Sequence, residues 1–518
     1  MRHLLRRSAS ISFAVFISRI FGLIRDIVFT SLFGVSFLSD AFSYAYRIPN
    51  LLRLLFGEGA LSAALIPIYS RIKERESLKS QIDFATNIIW FISIFLIFTT
   101  LIATVFTPYI VSAIAPGLEL KTKLLTVNLT RIILPYMLLI GVSSTVISIL
   151  NYHNYFFLPS LSSAFFNIGI IFTSLMSYLF FTRDPLKMVY IFSAGVVIGG
   201  IFQLLINIPL MHKVGYNITL PKKKGKKYLK NLWEKFLPGV IGFGIRQINS
   251  YVDLFLASFL IVGSASALTY SYRLMQLSLG IFGVPIWSVI LPTFSKQVVK
   301  KDFSALSKTL KDGIILVFYV MLPITILMII LGKDYIRVLF FRGAFDLRAL
   351  EMTYVSFLYY TVGLTLYSIN HIFVALFYAF GNTKTPVKIS LLIVIINIIL
   401  NIVLMQYYAH AGLAMATAIC AFIYSFLLYV KIHKLFPVIS FKSIIPTLIK
   451  LVFSTILLFF LIFYISSLFS FSSFSGSLFR LMFIGVLGVI SFFTFTLLLK
   501  IQYTKFFILV VWKKLKKS

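Results

Sequence analysis

Arginine is the chemically conspicuous residue of this sequence, because it recurs inside runs that are otherwise apolar. The segment SRIFGLIRD, Ser18 to Asp26, holds Arg19 and Arg25, with Asp26 directly after the second. The segment RIPNLLRLLFGEGA, Arg47 to Ala60, adds Arg47, Arg53 and Glu58. Arg246 and Arg273 lie in similar surroundings, Asp253 stands between them, and Asp40 precedes the second segment. A charge in hydrocarbon costs roughly 2.5–3.5 kcal/mol or more, so such residues persist where they meet water, a partner or a ligand. A guanidinium grips phosphate oxygens through a planar fork that lysine cannot reproduce. Arg19, Arg25, Arg53, Arg246 and Arg273 would have to share Asp26, Glu58 and Asp253, which leaves positive charge over. The chemistry indicated is capture of a polyanion, most simply a diphosphate. The alternative, structural ion pairs between helices, accounts for Asp26 or Glu58 neutralising one arginine but not for the excess.

These residues must be held at depth by helices. At 100° per residue, Arg19 and Arg25 lie 120° apart on a straight helix, and Gly22 between them makes a bend the simplest way to bring them together. Pro49, Gly57 and Gly59 mark a broken helix around Arg53. Broken helices in a membrane line a cavity or are buried in protein, so the arginines are expected to face an internal aqueous space. Arg131, Lys450 and Arg480 fall near span ends and are expected to snorkel to the interface. Other chemistry is missing from the sequence. It has no Gly-x4-Gly-Lys-Ser/Thr phosphate loop, no His-Glu-x2-His zinc motif and no cluster of acids suited to a transferase. The six histidines are scattered, and one cysteine, Cys420, permits no disulfide. A transporter without cofactor is expected, not an enzyme.

Composition agrees. Of 518 residues 59% are hydrophobic and 12% charged, with 55 Phe, 27 Tyr and a mean hydropathy of +0.98. A soluble globular protein is excluded. Apolar stretches reach the ~20 residues that cross a bilayer, which predicts an all-α integral membrane protein of about 14 transmembrane helices. The expected spans are 9–33, 38–70, 83–108, 126–150, 157–181, 187–211, 236–262, 265–295, 312–332, 350–380, 387–407, 411–432, 444–468 and 478–500. The N-terminus is read as a retained first helix, because Arg19 and Arg25 interrupt it and no cleavage site follows. The formal charge of +33 suits basic cytoplasmic loops and anionic membrane lipids better than nucleic acid, which is not an expected partner. Counted on alternate sides, 31 Lys and Arg fall with the N-terminus and 8 opposite, so both termini are expected in the cytoplasm.

An internal repeat sets the architecture. Residues 44–71 resemble 270–296, pairing Arg47 with Arg273, Gly57 with Gly283 and Pro67 with Pro292. Asp26 pairs with Asp253 and Pro159 with Pro386 at nearly the same offset. Both copies begin on the same side, so they form parallel six-helix repeats, with two additional helices after them. The expected domains are an N-terminal lobe at 1–220, a basic linker at 221–235 containing PKKKGKK, a C-terminal lobe at 236–435, and two helices with a basic tail at 436–518.

The segments SRIFGLIRDIVFTSLFG, DAFSYAYRIPNLLRLLFGEGALSAALIPIYS, IAPG with LPYMLLIG, YRLMQLSLGIFGV and NTKTPVKI resemble the MurJ family of lipid II flippases, also called MviN. The resemblance runs from the first helix to the last. It implies membership of the multidrug, oligosaccharidyl-lipid and polysaccharide exporter superfamily, built from two six-helix lobes. It implies movement of lipid II, an undecaprenyl diphosphate carrying a disaccharide and a peptide, across a bacterial inner membrane for peptidoglycan synthesis by a monomer. It assigns Arg19, Arg25, Arg53 and Arg273 to the diphosphate, names Asp40 and Glu58 as sensitive acids, and gives the two extra helices a groove for the polyprenyl tail. Some relatives bind sodium, for which Asp253, Asn397, Asn401 and Thr417 are the candidates here. The sequence departs from that pattern at Asn401, where some relatives carry a carboxylate, at Gln276, where some carry Glu, and at Arg246, which adds a charge. An exporter of drugs or of another polyprenyl-diphosphate-linked saccharide from the same superfamily is the rival reading.

Overall fold

The structure is a computed structural model that describes residues 2–57, 60–216, 219–221, 234, 236, 251–436, 441–469 and 473–504, with side chains described except at 2–9, 51–57, 60–64 and 75. Its secondary structure in these residues is helical. The chain forms α1 (Arg2–Phe33), α2 (Phe37–Gly57), α3 (Ala60–Arg75), α4 (Leu78–Ile114), α5 (Leu120–Ile133), α6 (Tyr136–Tyr152), α7 (Phe157–Phe180), α8 (Pro185–Leu205) and α9 (Ile208–Lys213). A helical stretch at 251–257 leads to α10 (Ser264–Ser278), a π-helical turn (Leu279–Gly283) and α11 (Val284–Val299). There follow α12 (Phe303–Phe340), α13 (Leu347–Val362), α14 (Leu364–Ala379), α15 (Lys384–Leu435), α16 (Ile445–Leu468) and α17 (Phe474–Leu498).

Among the described residues nine helices are long and apolar enough to cross a membrane, or ten with the bent pair α13 and α14 taken as one span. Two of the fourteen expected spans, 387–407 and 411–432, lie within the 52 residues of α15. A straight helix of that length would run about 78 Å, against a hydrocarbon core of about 30 Å. It is broken at Ala409, whose φ of 47° and ψ of −132° are not helical. Gly412 makes the break possible, because a Cβ there would sit 2.3 Å from the Leu404 carbonyl oxygen. Expected spans 9–33 and 38–70 are helical as α1 and as α2 with α3, and most of 236–262 lies outside the described residues.

The chain divides into two units, Met1–Ser266 with Arg342–Phe345, and Ala267–Phe341 with Asp346–Ser518. This division falls later in the chain than the basic linker at which the sequence repeat places it. In the first unit α7 and α8 pack at backbone distance. A Cβ on Gly169 would lie 2.6 Å from the Gly199 Cα, and one on Gly199 would lie 2.4 Å from the Phe166 carbonyl oxygen. Small residues at such crossings let two membrane helices gain van der Waals contact where no hydrophobic effect drives them together. Phe29, Phe42 and Phe192 meet with ring centroids 4.8–5.1 Å apart and close the core between α1, α2 and α8. Short polar connections end in caps: Asp184 accepts the Leu186 N–H at the start of α8, with Pro185 at the position that needs no donor.

In the second unit α16 and α17 pair with each other and both pack on α12. Arg480 of α17 forms an ion pair of 3.2 Å with Asp334 of α12, with side chains only 15% and 3% exposed. The guanidinium also reaches the Ser466 carbonyl and hydroxyl. The expected snorkelling of Arg480 is thereby corrected: a buried carboxylate within reach holds the side chain inside the protein. Lys450 is exposed and donates to the Leu499 carbonyl at 3.0 Å, and Arg131 is exposed. Removing one partner of a buried pair strands the other. We expect Arg480→Ala to destabilise the protein by about 3 kcal/mol, read as a fall in thermal midpoint in detergent, and Arg480→Leu combined with Asp334→Leu to recover most of that loss.

Candidate functional site

The candidate site starts on α1. The Gly22 side of this helix lies close enough to α7 that a Cβ there would stand 3.6 Å from the Asn167 amide nitrogen. Asn167 donates to the Ser163 carbonyl at 3.0 Å and the Ser18 carbonyl at 3.4 Å, while the Ser18 hydroxyl donates to the Ser160 carbonyl at 3.3 Å. A Cβ on Gly22 would make only an ordinary van der Waals contact there, so α1 and α7 meet without crowding at this point. The hydrogen bonds of Asn167 place its carbonyl oxygen where it accepts from Arg25 Nη1 at 3.0 Å. Arg25 donates further to Asp26 Oδ1, from Nε at 3.1 Å and from Nη2 at 2.8 Å. The guanidinium is thus oriented by a carboxylate and an amide, both largely buried. Asn167 was not singled out in the sequence. The signal for it is a lone amide in the apolar run FNIGI, one turn after Ser163.

Arg19, on the same helix, differs from Arg25. Its side chain is exposed, and it makes no ion pair among the described residues. A cation without a counter-charge at membrane depth requires water or an anionic ligand. Of the other expected arginines, Arg273 is half-buried on α10 and partnered. Arg53 lies on α2 with its side chain outside the description, and Glu58 and Arg246 lie outside the described residues. Arg47, the repeat partner of Arg273, sets its guanidinium 4.8 Å from the Tyr251 ring centroid, and the Tyr251 hydroxyl donates to the Arg47 carbonyl at 3.1 Å.

Asp40, expected among the substrate contacts, has a structural task. It sits in the first turn of α2, where the helix dipole favours an anion. Its carboxylate accepts the Gly263 N–H at 2.6 Å and the Ser266 N–H at 2.8 Å. These N–H groups open the helix that starts at Ser264, and such leading groups have no partner within their own helix. Gly263 has a φ of 99°, a conformation that side chains rarely tolerate. Tyr44, one turn after Asp40, donates to the Leu254 carbonyl at 2.9 Å, and the Ser258 hydroxyl accepts the Gly117 N–H at 3.1 Å. Residues 251–266 therefore pack with the first unit although the repeat assigns them to the second.

The sodium candidates fall in both units. Asp253 is half-buried in the first. In the second, Asn397 and Asn401 are fully buried one turn apart on α15, and the Asn401 amide donates to the Asn397 oxygen at 3.1 Å. The Thr417 hydroxyl donates to the Leu413 carbonyl of its own helix at 3.2 Å. The α15 residues supply oxygens without charge. No group of three or more His, Cys, Asp or Glu able to hold a metal occurs among the described residues.

Comparison with known proteins places this geometry. The family model described as lipid II flippase MurJ matches residues 29–484. A probable lipid II flippase MurJ of Buchnera aphidicola subsp. Acyrthosiphon pisum is 32% identical over 98% of this chain and 99% of its own length. The probable lipid II flippase MurJ of Vibrio cholerae serotype O1 is 30% identical over 83% of each chain. Among solved structures, a lipid II flippase MurJ in an inward closed conformation superposes with a TM-score of 0.79 at 29% identity, covering 94% of this chain and 97% of that one. An inward-facing multidrug resistance MATE family transporter shares the fold at a TM-score of 0.67 and 13% identity, over 80% and 93% of the two chains.

The Asp40 bonds are testable. Asp40→Ala leaves two buried N–H groups unsatisfied at a cost of about 1–3 kcal/mol each. It is expected to lower the thermal midpoint sharply, while Asp40→Asn, which keeps one acceptor oxygen, loses about half as much. Equal stability of all three proteins would contradict the capping role.

Proposed function

The chain belongs to the lipid II flippase MurJ family, and from that membership we propose a lipid II flippase that acts through the arginines described above. It moves lipid II from the cytoplasmic to the outer leaflet of the bacterial inner membrane. It is a transporter and not an enzyme, works as a monomer with both termini in the cytoplasm, and has no nucleic-acid partner.

The observation that carries the role of the arginines is the contrast on α1. Arg25 is pre-oriented by Asp26 and Asn167, with bonds that use three of its N–H groups. A guanidinium has five such groups, so about two remain for a ligand. Arg19 brings an exposed, uncompensated charge. A diphosphate answers both, with several acceptor oxygens and more negative charge than Asp26 alone supplies. Arg53, Arg246, Arg273 and Glu58 are the further residues that we assign to the substrate on the strength of the sequence and the family resemblance. The carboxylate beside Arg25 keeps the empty protein stable without cancelling the attraction, because a diphosphate carries more charge than one arginine can neutralise.

Transport follows alternating access, in which the head group is exposed first to the cytoplasm and then to the opposite side. The sequence has no ATP-binding motif, so the driving force comes from the gradient of the substrate or from ions. The membrane potential contributes about 2.3 kcal/mol per charge moved per 100 mV. Asp253, Asn397, Asn401 and Thr417 remain the candidates for sodium, and no step is routed through the ion.

The test is depletion in the source bacterium, which should leave lipid II on the cytoplasmic leaflet. Unchanged lipid II distribution with altered drug export would favour the rival exporter. In complementation, Arg19→Ala and Arg25→Ala should insert normally yet slow flipping roughly ten- to a hundredfold, because hydrogen bonds to charged groups contribute about 1.5–3 kcal/mol each. Arg25→Lys should restore only part of the rate, since a point charge lacks the fork.

A further inference from the structure

Apart from the arginines, the first unit contains a cavity of about 150 Å³ lined almost entirely by apolar atoms. Val142 and Val146 of α6 form its floor. Ile89 and Trp90 of α4 stand on one side, and Leu204 of α8 with Ile208 of α9 on the other. Earlier along α6 both neighbouring helices close on it. A Cβ on Gly141 of α6 would lie 2.2 Å from Leu96 of α4, and one on Gly200 of α8 would lie 2.7 Å from the Tyr136 ring. The cavity takes up the next stretch of α6 toward its C-terminus.

The segment after α9 shapes one end of this space. Gly215, with a φ of 89°, reverses the chain. The Tyr216 N–H then donates to the Met211 carbonyl at 3.0 Å, as at many helix C-termini, and Tyr216 itself is buried against the cavity. Trp90 donates from its indole Nε1 to the Thr219 carbonyl at 2.8 Å, which fastens the segment to α4. The lining continues onto apolar surface that faces outward. Four and seven residues after Trp90, on the same stripe of α4, Ile94 and Ile97 are exposed, and so are Ile201 and Leu205 of α8.

We propose that this cavity holds part of one acyl chain of an anionic diacyl phospholipid from the surrounding bilayer. An apolar cavity of this size accepts a benzene ring, so several chain carbons fit, whereas an α-helix about 10 Å across does not. Left unfilled, the lining would forfeit its dispersion contacts on one side. Trp90 falls within about two turns of the start of the expected span 83–108, near the edge of the hydrocarbon, where indoles are favoured. A chain entering here leaves its head group at the protein surface. Lys213 is exposed directly after His212, which lines the cavity, and the chain runs from Thr219 almost at once into PKKKGKK. Basic residues at a membrane surface select anionic head groups. This lipid is not the transported one, and its site stands whether or not the arginines hold a diphosphate.

The full chain in phosphatidylcholine nanodiscs, with a small fraction of phosphatidylglycerol carrying a diazirine in one acyl chain, tests this. Irradiation should place adducts on Ile89, Trp90, Val142 and Val146, mapped by peptide fragmentation. The label should be roughly fivefold stronger than from the same diazirine chain on phosphatidylcholine, the preference that one nearby lysine supplies. Lys213→Ala should narrow that preference, and Arg25→Ala should leave it unchanged. Val146→Phe puts a ring into the cavity and should remove these adducts, while Ile94 and Ile97 are labelled as before and the thermal midpoint does not fall. Val142→Phe, at a half-buried position, fills the same space if Val146→Phe does not fold. Label spread evenly along α4, adducts that persist in the filled variant, equal labelling by the two lipids, or crosslinking of Trp90 to another protein chain would overturn the proposal.

Discussion

A charge inside a membrane protein must be paired, hydrated or bound to a ligand, and the arrangement of this protein follows from how each of its charges meets that demand. Arg480 and Asp334 meet it by pairing in a dry interior, which fastens the C-terminal helices to α12. Asp40 meets it through backbone N–H groups, which tie residues 263–266 to α2. Arg25 meets it in part, held by Asp26 and Asn167 with donors to spare. Arg19 is left to water or to an anion. These are different answers to one constraint, and only the last two suit a residue that must also grip and release a substrate.

The partial pairing of Arg25 matters for transport. A fully bare cluster of guanidinium groups would repel itself and open the structure, whereas a fully neutralised one would attract no anion. A carboxylate next in sequence to the arginine gives an intermediate state. It fixes the geometry of the fork, lowers the cost of the empty site, and leaves donors directed elsewhere. The amide of Asn167 does the same without charge, which is why an asparagine on a neighbouring helix can orient a cation and not compete with its ligand.

Two irregularities of helix geometry fall in the second unit. The break at Ala409 separates two spans without a long loop, and the π-turn at Leu279–Gly283 adds one residue without ending the helical run. In both places a glycine, Gly412 or Gly283, stands where a side chain would collide with its surroundings. A bilayer forbids unpaired backbone, so a membrane protein bends its helices through local changes of register in which nearly every peptide group keeps a partner.

Much of this was legible in the sequence. Hydropathy predicted the all-helical membrane class, because a span must be about 20 apolar residues long whatever surrounds it. The division of α15 into spans at 387–407 and 411–432 could be read because the polar Tyr407 to His410 interrupts an apolar run. The arginines declared themselves by their cost. What the sequence alone left open was the partner of each charge, since that depends on which helices meet. Neither the reach of Asp334 to Arg480, nor the use of Asp40 as a cap by a segment more than 200 residues away, nor the approach of Asn167 to Arg25 has any local signature. Composition and periodicity determined which side chains lie at depth; tertiary packing decided which were neutralised and which stayed available, because hydrogen bonds and ion pairs act over a few ångströms of space and not along the chain.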